Sequence, residues 1–120
     1  MSTLLIDAPS GEAGASAVFW AGALGVPVES PLGEPQFHTL LNCVPDLVVA
    51  VQSIDDTARY HVDIETDDVS AEVARLTALG AVEVADWQGC RTLRVPGGHL
   101  LCVIPVHSSE ATFKTLAHMW

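Results

Sequence analysis

The sequence predicts an α+β fold built from two similar halves, and three observations carry this expectation. Two segments with helical periodicity end in the same triplet, Ala23-Leu24-Gly25 and Ala78-Leu79-Gly80. One strand-like run precedes each helical segment, and roughly three more are expected after it, by count of turn signals. Proline, glycine and aspartate punctuate the runs at turn spacing. Like elements recurring in like order indicate an internal duplication.

In the first half, residues 4–8 read as a short apolar strand closed by Pro9. Ser10 is the expected N-cap of the first helix, with Glu12 in its first turn, where the helix dipole favours an anion. Ala15, Val18, Phe19, Gly22 and Ala23 then fall at helical spacing. Gly25 has the place of a left-handed C-terminal glycine, and Pro27 blocks continuation. After Pro31, Gly33 and Pro35, residues 36–43 read as a strand. Pro45 and Asp46 make a turn, and residues 47–54 form an apolar strand suited to a sheet interior.

The second half opens with the clearest alternation in the chain. Over residues 59–65, Tyr60, Val62 and Ile64 share one face and His61, Asp63 and Glu65 the other. Asp67 and Asp68 can cap the following helix, whose stripe is Val69, Val73, Leu76 and Leu79, and Gly80 stops it. Strands are expected over residues 81–87, 90–95 and 99–106, with Pro96-Gly97-Gly98 as the tight turn between the last two. The expected domain is 1–106, with modules of about 3–54 and 59–106. The tail, 107–120, is expected to hold a short amphipathic helix with Phe113, Leu116, Ala117 and Trp120 on one face.

Composition narrows the function classes. Fifteen acidic residues against five basic ones give a net charge of −10, which repels nucleic acid phosphates and anionic membranes. No apolar run approaches the roughly 20 residues of a membrane span. The first residues, MSTLLIDAPSGE, lack the basic and apolar regions of a secretory signal, so a cytoplasmic location is expected. Cys43, Cys90 and Cys102 are odd in number and irregular in spacing, which suits free thiols.

The segments AVFWAGALG, RYHVDIETDDVSAEVARLTALGA, the VPGG turn and the closing HLLCVIP together resemble the glyoxalase-like domains of the vicinal oxygen chelate superfamily. The resemblance covers roughly residues 3–106. It implies two βαβββ modules whose curved mixed sheet surrounds a pocket, commonly in a homodimer. In metal-dependent relatives it also implies a divalent cation, held by His, Gln and Glu from the first and last strands of each module.

Laid on this chain, the resemblance puts the second module's first-strand ligand at His61. Gln52 is the only polar side chain near the expected place on the strand over 47–54. The first-strand position falls near Thr3. The glutamate that follows the family's last turn is replaced by Leu100, and His99 next to it points to the opposite face by strand parity. Asp63 and Glu65 share the face of His61 and are candidate carboxylate substitutes. Cys102 alternates onto the Leu100 face as a pocket-lining group. A reactive thiolate there would need a positive charge nearby. Trp87 is a candidate stacking wall, and Arg91 and Arg94 are either anion-binding groups or partners of surface acids.

Each of these residues also has a plain structural reading. His61 as a half-buried histidine bonded to Asp63 or to backbone is one, and Trp20 and Trp87 as packing residues are others. Two functions are expected at nearly equal weight. One is a small-molecule binder without the usual metal, like the bleomycin-resistance proteins, suited by the acidic charge to cationic ligands. The other is a lyase, isomerase or dioxygenase-type enzyme using His61 with or without a divalent metal. An accessory domain with a decayed site is a third.

Overall fold

The computed structural model describes residues 1–120, and strand alternation decides which of its residues meet. The first half runs β1 (Thr3–Pro9), α1 (Ala13–Leu24), β2 (Val28–Glu29), β3 (Phe37–Val44) and β4 (Leu47–Ile54). The second half runs β5 (Arg59–Thr66), α2 (Val69–Ala78), β6 (Val82–Trp87), β7 (Cys90–Arg94) and β8 (Leu100–Pro105), followed by α3 (Glu110–Leu116). Both halves are βαβββ units, as the duplicated pattern predicts. No helix is long and apolar enough to cross a membrane.

All eight strands join one curved, unclosed sheet in the order β2-β3-β4-β1-β5-β8-β7-β6. The halves meet where β1 and β5 pair antiparallel, and each of those strands pairs in parallel with the last strand of its own half. This makes β4, β1, β5 and β8 the centre of the sheet.

Cross-strand neighbours point to the same side, so the register divides the sheet into two faces. On one face Ile6, Ala8, Val49, Val51 and Leu40 pack under α1, which contributes Ala13 and Ala17. Small side chains at those helix positions let α1 lie close to the strands. Further along the same face Leu93, Val103 and Ala81 pack under α2 through Val69, Val73 and Leu76. Both helices therefore cover one face. The other carries Thr3, Leu5 and Asp7 of β1, Gln52 of β4, His61, Asp63 and Glu65 of β5, and Leu100 and Cys102 of β8.

Several local expectations change. Ser10 does not cap α1: Glu12 donates its N–H to Pro9 O in a turn, and the helix begins at Ala13 without a side-chain cap. Gly25 closes α1 at φ 68°, and Gly80 follows α2 at φ 103°, both left-handed as expected. Asp68 caps α2, accepting from Ala71 N at 2.9 Å. Leu79 lies just past the end of α2 and is exposed, so it leaves the apolar stripe. In the tail, α3 stops at Leu116 because Ala117 is extended, and Trp120 falls outside it. Trp120 instead covers the Arg75 guanidinium at 4.2 Å from the ring centroid.

Candidate functional site

The helix-free face has a charged floor. On β5, period-2 alternation aims Arg59, His61, Asp63 and Glu65 to this side. On β1 the same parity aims Asp7, which stands opposite Gln52 on β4 and Arg59 on β5. Asp7 is 2% exposed, and its Oδ2 takes a hydrogen bond from His61 Nδ1 at 2.7 Å. Arg59 Nε lies 3.4 Å from the same oxygen, an ion pair without hydrogen-bond geometry.

The other ring nitrogen of His61 faces the second half. His61 Nε2 lies 3.5 Å from Asp63 Oδ1, close enough for charge attraction but without a hydrogen bond. His61, Asp63 and Cys102 place one donor atom each within 4.8 Å of one another. The Cys102 sulfur also lies 3.5 Å from Thr92 Oγ1. Asp7 Oδ1, Gln52 Oε1 and Asp63 Oδ1 are buried oxygens with no partner, so the floor presents unused acceptors.

Electrostatics sets the charge states. Burial by itself would lower the pKa of His61. The hydrogen bond to Asp7 and the contact with the Cys102 sulfur outweigh that and push it up to about 10. At neutral pH His61 is therefore an imidazolium. Burial raises Asp63 above its usual carboxyl range, partly offset by the charges of His61 and His107. Burial also raises Cys90.

The remaining sequence candidates fall in different places. Glu65 faces this side but is engaged by the chain's own tail, accepting from Ser108 Oγ at 2.5 Å with His107 Nε2 at 3.3 Å, so it does not join the His61 cluster. Arg94 lies in the cross-strand row of His61 and Leu100, with its Nη1 bonded to Gly98 O. Arg91 is spent on Glu83 and Asp86. Trp87 sits on the outer strand β6, 65% exposed and three strands from β5, so it is no wall of the His61 cluster. A cleft of about 520 Å³ between the β3–β4 hairpin and α3, lined by Thr39, Val48, Phe113, Leu116 and Glu65, adjoins this face at Glu65, and none of Asp7, His61, Asp63 and Cys102 lines it. That volume suits a small organic molecule.

Asp7 is the residue that sequence reasoning missed. The first-strand position was expected near Thr3, but Thr3 pairs with Asp63 and it is Asp7 that reaches the imidazole. A lone aspartate inside an apolar strand was the available signal, because a buried carboxylate needs a partner.

The four-strand metal set implied by the resemblance does not assemble. The three donors that share a point come from β5 and β8 alone. From the first half, Asp7 is spent on the far nitrogen of His61, and Gln52 stands opposite Asp7. The residues present do not fit that centre.

Paired βαβββ modules, a helix-free face and a polar floor at the module junction define the class. The chain matches the family described as "Glyoxalase-like domain" over residues 3–104, and it belongs to that family of the vicinal oxygen chelate superfamily. Among solved structures, a hypothetical protein from Bacillus halodurans is similar, with a TM-score of 0.62 at 10% identity, covering 91% of this chain and 95% of that one. Methylmalonyl-CoA epimerase from Streptomyces coelicolor, in complex with 2-nitronate-propionyl-CoA, has a TM-score of 0.60 at 16% identity, covering 90% and 97%. Methylmalonyl-CoA epimerase from Mycobacterium tuberculosis has a TM-score of 0.56 at 12% identity, covering 87% and 85%. At such identities the likeness shows the fold alone. No curated protein matches the chain.

Proposed function

We propose that the helix-free face is the active site of an isomerase- or lyase-type enzyme that moves a proton on the carbon beside a carbonyl group. The observation that carries this reading is the placement of His61 against Asp63, with Asp7 behind it. Asp63 Oδ1 is buried, unpartnered and belongs to a carboxyl of raised pKa, which makes it the atom free to accept a proton. His61, held as an imidazolium, stabilises negative charge developing on the carbonyl oxygen. Asp7 fixes the ring and its protonated nitrogen. Two neighbouring titratable groups with different environments are a recurring acid–base arrangement. The cleft that begins at Glu65, two residues along β5 from Asp63, takes the body of the substrate. The epimerase relatives catalyse an isomerisation, which supports the class.

The test is solvent exchange. Thioesters and 2-keto acids are incubated with the protein in deuterium oxide, and loss of the α-proton signal is followed by NMR. Exchange is expected with at least one compound, slowed about 100-fold or more in Asp63→Asn and in His61→Gln. No exchange above the uncatalysed rate with any compound sinks the proposal. A second reading, capture of cationic aromatic compounds without chemistry, is favoured by the net charge of −10 and by exposed Trp87. Tight binding of such compounds, unchanged in His61→Gln, would support it instead.

A further inference from the structure

We infer that Cys102 is a nucleophile of this site, taking α,β-unsaturated carbonyl compounds by conjugate addition, with His61 as proton carrier and Asp7 as positioning residue. The inference rests on the proposed function in taking His61 as the group that meets the enolate.

Three observations place the groups. Asp7, 0% exposed in its side chain, holds His61 Nδ1 at 2.7 Å, which turns Nε2 toward the second half. The Cys102 sulfur lies within 4.8 Å of the donor atoms of His61 and Asp63 on the same face. Cys102 is half-buried, and the floor around it carries orphan oxygens. A nucleophile beside an imidazole that a third group orients is the general arrangement of nucleophilic catalysis. Here it is spread over three strands as Asp7, His61 and Cys102, an order that no local motif displays. The basic side chain that a reactive thiol needs beside it is His61, within 4.8 Å of the sulfur.

Neither of the other thiols has this setting. Cys43 belongs to the apolar packing under α1, on the opposite face. Cys90 shares the helix-free face but is pushed up by burial and has no imidazole among its neighbours.

The substrate class follows from the chemistry of the surroundings. In the addition, the Sγ–carbon bond forms at the β-carbon as the C=C π bond breaks, and the electron pair moves to the carbonyl as an enolate. The sulfur loses its proton to solvent before attack, His61 gives its Nε2 proton to the α-carbon, and solvent reprotonates the ring, so the thiol adds across the C=C bond with no oxidant or reductant consumed. An enolate is also what α-proton removal makes. Groups placed to stabilise one stabilise the other.

The test uses the full chain with 2-cyclohexen-1-one as probe at pH 7, and adducts on the three cysteines are quantified by peptide mass spectrometry. Cys102 is expected to react at least tenfold faster than Cys43 and Cys90. That advantage is expected to vanish in His61→Gln and in Asp7→Asn, the second of which leaves the sulfur and imidazole in place. Equal rates at the three cysteines in the wild type overturn the inference, and that comparison stands even where a variant fails to fold. Selectivity that survives both substitutions overturns it too. So does a Cys102 that reacts only after chelator treatment has released stoichiometric zinc. α-Proton exchange measured on the same wild-type sample separates the two ideas. Exchange without selective labelling removes the nucleophile and leaves the proton-transfer site, and selective labelling without exchange does the reverse.

Discussion

Replacing Asp7 by Asn removes the charge behind His61 while keeping the size of the side chain. The rise of His61 from 6.5 to about 10 sets a ceiling of roughly 5 kcal/mol for what its surroundings contribute, at about 1.4 kcal/mol per unit. Solvent screening and the neutral hydrogen bond that an amide retains reduce the expected loss to about 2–3 kcal/mol. Its pH dependence has a definite sign. A raised folded-state pKa contributes stability that is complete below the unfolded value of 6.5 and is lost as pH climbs through about 10. Urea denaturation of wild type and Asp7→Asn near pH 6, 8 and 10 measures it. The gap between the two proteins is expected to be about 2–3 kcal/mol at the lowest pH and to shrink to about 0.4 kcal/mol at the highest. A gap that stays constant, or widens with pH, would refute the assignment of Asp7 as the partner of a charged His61.

Other substitutions probe the frame around the site. Leu93 is 0% exposed under α2, so Leu93→Ala is expected to cost roughly 2–5 kcal/mol in chemical denaturation. Asp68→Ala removes the α2 cap and should cost about 1 kcal/mol by the same assay, with Asp68→Asn close to wild type. Glu65→Gln weakens the attachment of the tail at Ser108 and His107, and hydrogen exchange is expected to show faster opening of α3 with β5 unchanged.

The parts of the fold that are legible in the sequence are those decided by short-range physics. Alternation over Arg59–Thr66 announces both faces of β5, and Asp68 and Gly80 mark the ends of α2. The strand over Leu47–Ile54 is bounded by turn residues on both sides. What stayed hidden depends on register and on neighbours. β2 is only two residues long and exists because Val28 and Glu29 meet Leu40 and Thr39 on β3. Asp7 reaches His61 only because β1 and β5 pair so that Leu5 stands opposite His61 and Asp7 opposite Arg59, a stagger that no local pattern encodes. Glu65 was readable as a residue of the right face, but not its engagement by a tail forty residues further along the chain. Cys102 was readable as lining that face, yet the charge beside it comes from a strand distant in sequence.

The central claim is that His61 is a buried imidazolium pinned by Asp7 on the helix-free face. Its most direct test is a nitrogen-15 NMR titration of the His61 ring in the wild-type protein from pH 5 to 11. Both ring nitrogens are expected to remain protonated through pH 8, with a midpoint near 10, and the midpoint should fall by more than one unit in Asp7→Asn. A neutral ring at pH 8, titrating near 6.5 and unmoved by the substitution, would contradict the account.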